Sequence, residues 1–191
     1  MKNIIVIKSQ DRGGSHLIKH TLLPPLQKRE NYIYDINDEY TMFKNSVYEH
    51  TDSLPDMDEF LDMIPCEKDS YVNAVFEEAT GFFSRNGGTS KKLLQHITRR
   101  YHTKNVNIFI FHDVLKIPDD IMTYIDFMIL FRVASDPIKV YKKFESYPKI
   151  IEAFNDVQAK TENTFFNREK KVYRDERSKQ FFHYHRVIKK D

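Results

Sequence analysis

Two stretches of the chain carry residue types that could do chemistry together. The first, Lys8-Ser9-Gln10-Asp11-Arg12-Gly13-Gly14-Ser15-His16-Leu17, follows a β-like run at residues 4–7 and leads into a helical pattern. A strand, a glycine-containing loop and a helix start form an anion site. Backbone N–H groups and the positive helix end face whatever lies in the loop. A complete phosphate loop reads GxxxxGK followed by Ser or Thr. Its glycines let the backbone wrap phosphates, its lysine neutralises them and its hydroxyl binds magnesium. Aligned on Ser15, this chain keeps Gly13 and the hydroxyl, but has Gly14 where the lysine belongs and Lys8 where the first glycine belongs. Arg12 within the loop, or Lys8 or Lys19 beside it, are the cations at hand to supply the missing charge. Taken alone, the stretch also reads as an ordinary strand-to-helix turn, the commoner case.

The second stretch is Glu77-Glu78, which ends the hydrophobic run Val72-Asn73-Ala74-Val75-Phe76. Two acids there are costly unless they meet a metal, a water or a partner charge. In nucleotide hydrolases the same place holds a carboxylate that supports Mg²⁺ and a second that polarises the attacking water. Glu77 would take the first role and Glu78 the second. The alternative is a strand that ends in solvent. Farther on, Phe109-Ile110-Phe111 ends in His112-Asp113, where a polar residue would stand between the acidic pair and the phosphate loop and could sense a γ-phosphate. A histidine bonded to backbone is the plainer reading. Arg99 and Arg100 close an amphipathic helical pattern, as helix dipoles favour. They also suit an arginine finger or a nucleic-acid backbone.

Positioning these groups requires strands alternating with helices. Short runs rich in β-branched and aromatic residues at 3–7, 32–35, 72–76, 106–111 and 127–132 read as buried strands. Helical patterns lie between them. Residues 16–26 set Leu17, His20 and Leu23 on one side, and 56–64 set Phe60, Met63 and Ile64 together after a Ser53-Leu54-Pro55-Asp56 start signal. Residues 90–101 repeat Leu93, Leu94, Ile97 and Tyr101, 119–124 make a short helix, and 137–160 carry a kink or break at Pro148. The alternation predicts a mostly parallel sheet covered on both faces, with ligands beyond the carboxyl ends of the strands. Residues 164–168 and 171–173 suggest a small hairpin or edge strand before a basic, aromatic tail that includes Phe181-Phe182-His183-Tyr184-His185-Arg186. That mix suits base stacking or phosphate contact, and equally a packing tail.

The totals bound the function classes. At 191 residues, with 40% hydrophobic and 14% aromatic residues, the chain suits one domain with a sizeable core. A net charge of +2 does not announce a nucleic-acid protein by bulk charge. Cations do cluster between Asn167 and Lys190. The single cysteine, Cys66, excludes an intrachain disulfide framework and a multi-cysteine metal site, and fits a reducing compartment. No apolar stretch approaches a membrane span and no signal segment is evident, so a cytoplasmic protein is expected.

With these pieces in order, the chain resembles the HerA/FtsK branch of P-loop ATPases, especially its small phage packaging-type and zonular-occludens-toxin-like members, over about residues 2–157. Four places carry the likeness. They are Ile33-Tyr34-Asp35-Ile36-Asn37-Asp38-Glu39-Tyr40, Ala74-Val75-Phe76-Glu77-Glu78-Ala79-Thr80, the helix Lys91 to His102 with its arginine pair, and Phe109-Ile110-Phe111-His112-Asp113 with the strand to Phe131. The resemblance implies a three-layer α/β, RecA/FtsK-like fold, with a mostly parallel central sheet in a core of residues 1–160 and a hairpin and basic tail at 161–191. It implies Mg²⁺ and ATP held by Gly13, Gly14 and Ser15; Lys8, Arg12 and His16, in or beside the same loop, are the further candidates for nucleotide contact. Ser15 and Glu77 would lie at the metal, Glu78 on water, His112 at the γ-phosphate, and Arg99 or Arg100 would act in trans. The resemblance further implies a homo-oligomeric ring, DNA as substrate, viral structural proteins as partners, and a place in the infected host cytoplasm or virion. The missing lysine leaves two outcomes open. Either a nearby cation substitutes and the chain hydrolyses ATP as a packaging motor, or it is a non-hydrolysing scaffold or DNA-binding subunit of an assembly machine. A small-molecule kinase ranks last, since no arginine-rich lid follows the fourth strand.

Overall fold

The β-branched runs become the centre of the molecule. In a computed structural model, which describes residues 2–8, 14–26, 28–35, 39–40, 42–43, 57–80, 83, 89–169 and 186–190, five of them form parallel strands. These are β1 (Lys2–Ile7), β2 (Asn31–Tyr34), β3 (Asn73–Phe76), β4 (Val106–Phe111) and β5 (Phe127–Leu130). A sixth, β6 (Arg186–Lys189), pairs antiparallel with β5, and the sheet order is β2-β3-β4-β1-β5-β6. Alternate side chains divide the sheet into two cores, as strand geometry requires. Ile5, Ile7, Phe76, Phe109 and Phe111 point to one face, where Phe60, Leu93, Ile97, Val140 and Phe154 cover them. Val6, Ile33, Val75, Ile108 and Ile110 point to the other, under Ile18, Leu23 and Tyr40. The architecture is thus the expected mixed α/β fold with a six-stranded, mostly parallel sheet flanked by helices.

Helices arise where caps and apolar spacing agree. The first face is covered by α2 (Met57–Met63), α3 (Lys91–Thr98), α5 (Asp119–Met122), α6 (Pro137–Lys143) and α7 (Pro148–Glu169), while α1 (Gly14–Leu17) lies after the loop that follows β1 and α4 (Arg100–Thr103) follows α3. Ser90 caps α3, its Oγ accepting from Leu93 N at 3.1 Å. Ser90→Ala should therefore cost about 1 kcal/mol, read as a lowered denaturant midpoint at unchanged slope. Pro148 acts as a break, opening α7 after a turn at residues 144–147. Asp136 caps α6 ahead of Pro137, its Oδ1 accepting from Ile138 N at 2.9 Å.

Four expectations change. The helix from residue 16 becomes a π-turn at Ile18–Leu22, closed by Leu23 N donating to Ile18 O at 2.9 Å. That wider turn puts Ile18 and Leu23 on the buried side and leaves His20 exposed. Phe60 and Ile64 are buried as expected, but Met63 is 44% exposed, and Met57 and Leu61 join the buried side in its place. The helix from Ser90 pauses at Arg99, so Tyr101 turns outward at 56% exposure. Finally, α7 runs through residues 164–168, where a hairpin strand was expected. No glycine or proline interrupts residues 149–169, so extending the helix costs less than ending it. The edge strand is instead β6, within the tail; residues 171–173, 181–185 and the 53–56 start signal lie outside the described residues. Among the described residues no helix is long and apolar enough to cross a membrane.

Candidate nucleotide site

The carboxyl ends of β1, β3 and β4 lie side by side, because β4 is hydrogen-bonded to β1 on one flank and β3 on the other. Residues 8, 77, 78 and 112 follow these strands directly, so chain order alone delivers them to one edge. His112 follows β4, the middle of these three strands.

Glu77 is the centre of the cluster. It is 1% exposed, and both carboxylate oxygens are engaged. Lys8 Nζ donates to Oε1 at 2.7 Å and to Ser15 Oγ at 2.6 Å, while Ser15 Oγ lies 3.4 Å from the same Oε1. Tyr40 OH donates to Oε2 at 2.8 Å. Burial, and after it the Glu77 charge, push the Tyr40 phenol far up, so it stays a donor. Tyr40 is itself fixed: Asp35, just past β2, accepts from Glu39 N at 3.0 Å and Tyr40 N at 2.8 Å. Lys19 donates to Glu39 O at 2.8 Å and lies 5.5 Å from the Tyr40 ring centre. Lys19 is therefore engaged at the Tyr40 turn.

Glu78 sits at φ 59°, a left-handed conformation that a non-glycine residue adopts at some cost. The turn aims its carboxylate at His112, whose Nε2 lies 2.6 Å from Oε1. His112 N donates to Thr80 Oγ1 at 2.6 Å, and its Nδ1 is buried with no partner among the described residues. The His112 hydrogen bond, working against burial, holds the Glu78 carboxyl below its ordinary value of 4.5. A carboxyl lowered on folding stabilises the protein above its unfolded value, and that contribution is lost as pH falls through the folded value. Below about pH 4.5 the wild type should lose stability faster than Glu78→Gln, measured by urea unfolding at stepped pH.

The other candidates divide. Gly14 is packed against Lys8: a Cβ there would fall on Lys8 Cδ and within 2.9 Å of its Cβ and Cγ. His16 is exposed, its ring tilted against that of His20 with centres 4.3 Å apart; burial, then His20 and Lys19, lower its pKa. Arg12 and Gly13 lie outside the described residues. Arg99 is exposed at the end of α3, near Cys66, and Arg100 is not brought to the site either. It is buried at the amino ends of the strands, with Nε 3.1 Å from Asp126 Oδ2 and its guanidinium 4.3 Å from the Tyr101 ring centre. An arginine committed to that pair is a structural residue, which corrects its reading as a free finger. Cys66 lies 3.6 Å from His96 Nδ1, and burial pushes its thiol up, away from reactivity.

Sequence reasoning missed Tyr40 as a site residue. The signal was present in the acidic-aromatic pair Glu39-Tyr40, but nothing local says that its hydroxyl reaches Glu77.

A hydroxyl beside a carboxylate is a hard-oxygen donor pair suited to Mg²⁺, which keeps waters and phosphate oxygens in its remaining positions. The Lys8 ammonium between them shows that the place favours a cation. Among the described residues no group of three or more His, Cys, Asp or Glu could hold a metal by itself.

No protein-family model matches the chain, and no curated protein matches it in sequence. Solved structures do resemble it. The genome-packaging NTPase B204 from Sulfolobus turreted icosahedral virus 2, in complex with AMP, superposes with a TM-score of 0.64 at 17% identity, covering 83% of this chain and 87% of that one. The same NTPase with ATP-gammaS gives 0.62 at 19% identity, covering 82% and 85%. The DNA-packaging ATPase B204 from Sulfolobus turreted icosahedral virus gives 0.63 at 18% identity, covering 83% and 87%. At such identity the likeness establishes the fold alone, a mixed α/β fold shared with these NTPases.

Proposed function

We propose that this chain is a packaging-type NTPase of the HerA/FtsK branch, binding ATP at the loop after β1 and hydrolysing it to move DNA. The observation that carries the proposal is the convergence of Ser15, Glu77, Glu78 and His112 at the carboxyl ends of three adjacent strands. Open α/β sheets bind ligands there. The neighbouring B204 structures, solved with AMP, AMPPCP, ATP-gammaS and sulfate, support a nucleotide as ligand.

Each residue has a task in this reading. Gly13 and Gly14 let the backbone approach the phosphates, and Arg12 and Lys8 are the cations at hand. Ser15 and Glu77 would hold Mg²⁺, which supplies charge neutralisation when bound. Glu78, kept ionised by His112, accepts a proton from the attacking water. His112 orients that carboxylate and registers the γ-phosphate. Arg99, exposed, is the arginine free to reach a neighbouring subunit's nucleotide in a ring. DNA and viral structural proteins are the partners, in the infected host cytoplasm or the virion. A second reading, a non-hydrolysing subunit of the same assembly, rests on Gly14 in the lysine's place.

ATP turnover by the full chain, with and without double-stranded DNA, separates the two. The motor shows turnover that DNA accelerates; the scaffold shows no turnover in either condition.

A further inference from the structure

The two departures of the phosphate loop from its motif occupy one space. Lys8 is rooted by the sheet, its N donating to Phe111 O at 2.9 Å, and its stem lies across Gly14. Any side chain at Gly14, a lysine included, would strike that stem at its first carbon. A lysine at 8 in this pose and a lysine at 14 therefore exclude each other, and Lys8 held this way requires a residue without a Cβ at 14. The ammonium is delivered beside Ser15 Oγ, at 2.6 Å, on the residue next to the vacated lysine position. An ammonium has three donors, and two are used among the described residues. Lys19 is turned to the Glu39 carbonyl. Glu77 is pinned independently by Tyr40, so it keeps its place if Lys8 leaves.

We propose that Lys8 has exchanged roles with Gly14: its ammonium neutralises the bound phosphates and, before nucleotide arrives, stands between Ser15 and Glu77, excluding a divalent cation from that pair. The assignment rests on the loop being a nucleotide site. It makes binding ordered. A polyphosphate draws the ammonium off Glu77, and only then do the Ser15 hydroxyl and the Glu77 carboxylate become available to a metal. The long flexible stem of lysine suits such a change of partner, which a rigid guanidinium would not make as easily.

The test uses the full chain as wild type, Lys8→Met and the double exchange Lys8→Gly/Gly14→Lys, each checked for a cooperative thermal transition. Mn²⁺, a paramagnetic stand-in for Mg²⁺, is titrated without nucleotide and followed by electron paramagnetic resonance; a fluorescent ATP analogue is titrated separately. Lys8→Met should bind Mn²⁺ at least about tenfold more tightly than wild type and the ATP analogue roughly tenfold to a hundredfold more weakly. The double exchange should recover analogue binding, and it keeps the test valid if Lys8→Met does not fold. Analogue affinity unchanged in Lys8→Met, Mn²⁺ bound equally by wild type and Lys8→Met, or a folded double exchange that does not bind the analogue would overturn the proposal. Wild type that binds no analogue at all removes the nucleotide site itself, and this proposal with it.

Discussion

Glu78→Gln is expected to lower ATP turnover by roughly 10²- to 10⁴-fold, the range typical for loss of a positioned general base, while leaving nucleotide affinity nearly unchanged. The substitution is close to isosteric. A glutamine amide can still pair with His112 Nε2, now 2.6 Å from the carboxylate, so the left-handed turn at residue 78 keeps its anchor. What goes is the capacity to accept a proton. Glu77, Lys8 and Ser15 are untouched, so the groups assigned to metal and phosphate stay as they are. A fall in affinity equal to the fall in turnover would assign Glu78 to binding instead of chemistry.

Arg100→Ala should destabilise the fold by about 1.5–3 kcal/mol, the range for hydrogen bonds to a charged group, since Asp126 is only partly buried. Asp126 would keep Asn3 N at 2.8 Å but lose the guanidinium on both oxygens, at 3.1 and 3.3 Å. The pair also ties α4 to the start of β5 and, through Asn3, to β1. Since whole domains are stable by only about 5–15 kcal/mol, the loss should appear as a large drop in the urea midpoint. An arginine acting in trans would behave oppositely: its removal would abolish turnover in the assembled protein and leave the midpoint alone.

These two arginines show where the sequence stops being informative. Arg99 and Arg100 are adjacent and chemically identical, and both sit at the end of a helical pattern. Which one faces solvent depends on the pause at Arg99 and on Asp126, twenty-six residues away from Arg100. The strands were legible because β-branched runs need no partner to declare themselves, and their carboxyl ends then located Glu77, Glu78 and His112 without side-chain detail. The π-turn at Ile18–Leu22 was not, since one extra residue per turn changes which side is buried without changing composition. Tyr40 was also out of reach: its hydroxyl meets Glu77 across 37 residues of chain, through a turn that Asp35 builds. Lys8 was legible as a departure from a motif. Its direction, toward Ser15 and Glu77 across Gly14, belongs to tertiary packing.

The most direct test of a nucleotide site at the ends of β1 and β3 is equilibrium binding of Mg²⁺-ATP to the purified full chain, using a fluorescent analogue competed with plain ATP. The account predicts saturable, competable binding with a dissociation constant below about 1 mM, in the range of working enzyme sites. Folded protein that shows no competable binding at millimolar nucleotide would contradict it.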